Sequence, residues 1–92
     1  MPMSNLSFRV IGAGRAGGSV FRALTKAGWT AATPLGRGDA LADAAADLDV
    51  VIIATPDAAI SEVAKAITPV ATTAVVHLSG TLGPDVLAPH AR

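Results

Sequence analysis

Two hydrophobic periods alternate along the chain. Residues 6–11, Leu-Ser-Phe-Arg-Val-Ile, read as a β-strand that breaks at Gly12. From Gly14 to Ala27 the period becomes helical, with Val20, Ala23, Leu24 and Ala27 on one face and Arg22 and Lys26 on another. Gly28 stands where a helix commonly ends on a left-handed glycine. A second strand is expected within 30–35, closed by Pro34 and the Gly36-Arg37-Gly38 turn. Asp39 is placed to cap a short helix through Leu48, in a stretch rich in alanine and acidic residues. Residues 50–54, Val-Val-Ile-Ile-Ala, are continuously apolar, as in a strand covered on both faces. Thr55-Pro56-Asp57 ends that strand and starts a helix to about Ile67. Residues 73–78 form a fourth strand, Ser79-Gly80 a turn, and 84–88 a short last helix.

Strands alternating with helices through short connections predict an α/β layer fold. The expected architecture is a Rossmann-like parallel sheet of four strands in the order 2-1-3-4, with helices on both faces. Composition narrows the function classes. Seven basic and seven acidic side chains leave no net charge, so no global attraction to nucleic acid or an anionic membrane follows. Without cysteine there is no disulfide, thiolate metal site or thiol nucleophile. The continuous apolar runs are far shorter than the ~18 residues of a spanning helix. No basic-then-apolar leader opens the chain, and a cytoplasmic location is the expectation. The apolar residues are mostly small, and the chain ends at Pro89-His90-Ala91-Arg92 without a closing element. It therefore reads as a fragment whose apolar surface is covered by something else, with self-association expected near the fourth strand and last helix.

Gly12-Ala13-Gly14-Arg15-Ala16-Gly17 matches GxGxxG between an expected strand and an amphipathic helix. In that context Gly12 permits the tight turn, Gly14 lets a pyrophosphate approach the backbone, and Gly17 lets the helix pack on the first strand. The helix start offers free N–H groups and a positive dipole end to an anion. Two roles are open to Arg15: leaning over the pyrophosphate, or standing solvated. About 20 residues beyond the glycines, where an acid would bond the ribose of NAD, stands Arg37. A guanidinium suits a 2′-phosphate, which favours NADP; Asp39, two residues on, keeps NAD open, and the alternative for Arg37 is a solvated turn residue.

In parallel sheets the ligand lies outside the carboxyl ends of the strands. Thr55 and Pro56 should therefore face the glycine loop, beside the nicotinamide ribose. Ser79 and Gly80 are candidate lining residues at the end of the fourth strand. His77 shares their side by strand alternation, as a proton shuttle or as a structural residue. His90 carries no argument. No nucleophile triad and no metal-ligand set is visible.

The segments 10–17, 53–57 (Ile-Ala-Thr-Pro-Asp) and 77–80 (His-Leu-Ser-Gly) together resemble a family of oxidoreductases. Its members have an N-terminal Rossmann-like NADP-binding domain followed by a helical domain of unknown function. More distantly the chain is similar to pyrroline-5-carboxylate reductases and 6-phosphogluconate dehydrogenase-like proteins. It departs from the former, which carry Lys-Pro-Gln where this chain has Thr55-Pro56-Asp57. The resemblance implies an NADP-dependent oxidoreductase acting on a small molecule, with substrate site and dimer built by the helical domain. A rival of another class is a non-catalytic nucleotide-binding or sensor module; another is a purely structural interaction domain.

Overall fold

The computed structural model describes residues 6–12, 14–36, 38–78 and 87. Its order is β1 (Ser7–Ile11), α1 (Arg15–Lys26), β2 (Thr30–Ala31), β3 (Val50–Ile53), α2 (Asp57–Ala66) and β4 (Ala74–His77). The strands form one parallel sheet in the order β2-β1-β3-β4. The expected last helix at 84–88 lies outside the described residues except for Leu87, which is buried. No described helix is long and apolar enough to cross a membrane.

Strand alternation sorts the apolar residues onto two faces. Phe8, Val10 and Ile52 form one cluster, packed by Val20, Phe21 and Leu24 of α1 and by Trp29. The chain's three aromatics meet there, Phe8 edge-on to both Phe21 (centroids 5.7 Å apart) and Trp29 (6.2 Å). On the opposite face Ile11, Val51, Ile53 and Val75 pack with Ile60 and Ala64 of α2 and with Ala44, Ala45 and Leu87. The helices thus cover both faces. The buried stripe of α1 differs from the expected one: Gly17, Val20, Phe21 and Leu24 face the sheet, while Ala23 and Ala27 are exposed. The bulk of Phe21 turns the helix toward the aromatic cluster.

Helix α1 ends as its glycine suggests. Gly28 has φ 100°, its N–H donates to Thr25 O (3.1 Å), and Trp29 N–H donates to Leu24 O (3.0 Å). These two bonds satisfy carbonyls that the helix end leaves open. Strand β2 is cut to two residues, because Pro34 has no N–H to give to a ladder. The chain rejoins the sheet at Leu35, which bridges Ile11 and accepts from Gly12 N–H (2.9 Å). At the opposite end of the sheet, the Asp49 carboxylate accepts from Ser7 N–H (2.8 Å) and Ser7 Oγ (3.1 Å), tying the start of β1 to the start of β3.

The expected helix at 39–48 does not form. The segment makes successive four-residue turns instead, with Ala44 N–H donating to Leu41 O (3.0 Å) and Ala46 N–H to Asp43 O (3.0 Å). Its carbonyls are taken by donors elsewhere in the chain. Thr68 N–H donates to Ala42 O (3.0 Å) and Arg9 Nε to Ala44 O (2.9 Å). Thr73 Oγ1 lies within hydrogen-bonding distance of Ala45 O (3.1 Å) and of Leu48 O. In an α-helix the carbonyls of Ala42 and Ala44 would serve Ala46 and Leu48. Ala44 and Ala45 are small enough to bring this backbone against the sheet, where the competing donors reach it. Asp39 caps no helix; its Oδ2 accepts from Gly36 N–H (2.7 Å) and closes a turn.

Thr73 is buried, so its hydroxyl is the partner those carbonyls have in place of water. Thr73→Val keeps the shape and removes the donor. Its expected cost is about 1–3 kcal/mol, read from denaturant unfolding. An unchanged midpoint would show that Thr73 does not hold the 42–48 turns.

Candidate functional site

The site grows out of one close approach. Gly12 has φ 122°, and a Cβ built there would stand 2.7 Å from Ala54 O. The β1–α1 turn is therefore pressed onto the carboxyl end of β3, where Ala54 N–H donates to Ile11 O (2.8 Å). Gly17 repeats the constraint one turn into the helix: a Cβ there would meet Gly12 O at 2.8 Å, Ala54 Cβ at 3.2 Å and Val10 Cγ1 at 3.3 Å. Both glycines are required by the fold itself.

Gly14 is different. Its backbone (φ −75°, ψ −178°) is open to any residue, and among the described residues a Cβ there meets nothing within 4 Å. Gly14 is the N-cap of α1, with no side-chain capping bond, and the first turn holds no acidic residue. The leading N–H groups of a helix have no intrahelical acceptor. Here they stand beside the cationic Arg15, an arrangement the helix dipole disfavours until an anion joins it.

A cavity of about 640 Å³ opens at this helix start, over the carboxyl ends of β1 and β3. Gly12, Gly14, Arg15 and Ala16 line one side, and Thr55 and Pro56 stand at the end of β3. Six of the sequence-derived candidates thus share one cavity. Gly17 does not line it and acts as a packing glycine. Ala13, Arg37, Ser79 and Gly80 lie outside the described residues. His77, in register with Ile53 on β4, is half-buried and does not line the cavity.

Thr55 adds an independent feature. Its Oγ1 is fully buried and has no hydrogen-bond partner among the described residues. A buried hydroxyl left unpaired costs about 1–3 kcal/mol, a cost that a hydrogen-bonding partner would relieve. Proline at 56 and Asp57 in the first turn of α2 favour helix initiation directly after it.

The third wall was only partly foreseen. Gly36, Gly38, Asp39 and Leu41 come from the segment after β2, and Ala59 and Val63 from α2. Positions 59 and 63 are one helical turn apart, and that spacing is the signal that could have found them. Asp39 enters as a wall residue with its carboxylate held by Gly36, rather than as a helix cap. The cavity therefore has Arg15 and helix N–H groups at one side, Thr55 and Pro56 at the end of β3, the Asp39 carboxylate at the third wall and apolar surface between them. Among the described residues, no group of three or more His, Asp or Glu side chains is gathered as for a metal ion.

No protein-family model, curated protein or solved structure matches the chain.

Proposed function

We propose that this chain binds NADP in the crevice at the start of α1, as the dinucleotide-binding part of an NADP-dependent oxidoreductase acting on a small molecule. The observation that carries the reading is Gly14, a glycine that neither backbone conformation nor packing demands, at an uncapped helix start. A pyrophosphate against the backbone accounts for the missing side chain. The helix N–H groups and Arg15 bind the phosphates, Thr55 Oγ1 bonds the sugar at the other end, and Pro56 offers that end a rigid apolar surface. Arg37 pairs with the 2′-phosphate. The bound cofactor supplies hydride transfer, and the protein orients it. In this reading the substrate site belongs to the further helical domain that the resemblance implies, so no catalytic residue is assigned here. Homo-oligomerisation belongs to the same reading; exposed Val76 (37%) and Leu78 (41%), on one face of the chain at β4, support it.

A second reading, NAD in place of NADP, is favoured by Asp39, whose carboxylate lines the cavity. Calorimetric titration at one fixed salt concentration separates the two. If NADP is the ligand, NADPH binds roughly 10- to 150-fold more tightly than NADH, the equivalent of one charge-assisted hydrogen bond. Arg37→Asp then removes the preference, and Asp39→Asn does not weaken NADPH. If NAD is the ligand, NADH binds at least as tightly and Asp39→Asn weakens it selectively.

The glycines provide the test of the crevice itself. Gly14→Val weakens NADPH and NADH together, while Gly14→Ala changes unfolding free energy by less than about 1 kcal/mol. Gly17→Ala costs about 1–3 kcal/mol of stability, because its methyl has no room. Equal affinity of Gly14→Val and the parent for both cofactors would remove the pyrophosphate from this site.

A further inference from the structure

We propose that Arg9 is a positioning residue for the third wall of the crevice, the wall that in the reading above receives the adenosine half of the dinucleotide. Arg9 is a half-buried cation on a central strand, and its guanidinium is spent on two backbone carbonyls. Nη1 donates to Thr33 O (2.6 Å) and Nε to Ala44 O (2.9 Å). Those carbonyls stand at the two ends of one loop. Between them the chain touches the sheet at Leu35, delivers Gly36, Gly38, Asp39 and Leu41 to the cavity, and packs back on the sheet at Ala44.

One side chain thus closes the neck of the loop. Its near end is also held by the backbone, through Leu35 N–H to Val10 O (3.0 Å) and Gly12 N–H to Leu35 O (2.9 Å). Its far end is held through Thr68 and Thr73. Those anchors fix each end to a different part of the molecule; Arg9 fixes the ends to each other and to β1. What it governs is the placement of Gly36 and of residues 38–41. A planar fork suits this role, because its donors point in fixed and divergent directions. Lysine places a single ammonium at one point and cannot hold both carbonyls in the same geometry. Arg9 itself does not line the cavity, so its effect on a ligand is indirect and confined to one end.

The full chain and its Arg9→Lys and Arg9→Met variants are titrated with adenosine 2′,5′-bisphosphate and with nicotinamide mononucleotide, which represent the two halves of the ligand. Arg9→Met is expected to weaken the adenosine half by about tenfold, or about 1.4 kcal/mol, and to leave the nicotinamide half unchanged. Arg9→Lys falls between Arg9→Met and the parent. Hydrogen exchange, measured without ligand, is expected to speed up in Arg9→Met at the amides of 36–41 and not in β3 or α2. Equal weakening of both halves, or none, overturns the positioning role, as does unchanged exchange at 36–41. If Arg9→Met does not fold, Arg9→Lys carries the same comparison. If the parent binds neither half, the dinucleotide reading falls and the ligand role of Arg9 with it. Exchange then judges the closure of the loop neck alone.

Discussion

The turn between β1 and α1 sits where it does because position 12 has no side chain. A methyl there would stand 2.7 Å from Ala54 O, inside any permitted contact, and the left-handed φ of 122° excludes most residues independently. With the turn pressed onto the end of β3, α1 must start above the sheet's carboxyl edge. Gly17 then carries the helix onto β1 and β3 with no Cβ between them. The crevice, the direction of the helix dipole and the approach of Thr55 all follow from this contact. Moving the turn outward by the width of a methyl would separate the helix start from the end of β3.

The three glycines of the motif therefore have different physical standing. Two are conditions of the fold, and they would be glycine in any protein with this turn and this packing. Gly14 makes no demand of that kind: its backbone suits any residue and no described atom stands near a Cβ built on it.

The third wall shows a contest between local preference and tertiary donors. The stretch 39–48 has the composition of a helix, yet its carbonyls are claimed by Arg9, Thr68 and Thr73. The net worth of a short helix in water is small, since nucleation is costly and few bonds repay it. Three outside donors and two buried alanines are enough to hold the turns. The same contacts bring Asp39 and Leu41 to the cavity, so the failure to form a helix shapes the site.

The residue pattern alone was sufficient for the sheet order and for the six elements that form, though not for the helix it also placed at 39–48, because continuous apolar runs such as 50–54 and glycines at 12 and 28 act through local sterics. The aligned glycine loop and Thr55-Pro56 were legible for the same reason: strand ends and helix starts are local events. Three things were not legible. The face of α1 depended on how Phe21 meets Phe8 and Trp29 across the sheet. The truncation of β2 and the return at Leu35 depended on where Pro34 left the ladder without a donor. The turns at 42–48 depended on Arg9, which lies 35 positions earlier than the carbonyl it binds. Propensity counts bonds within a segment, and only the tertiary structure shows which donors from outside it arrive first.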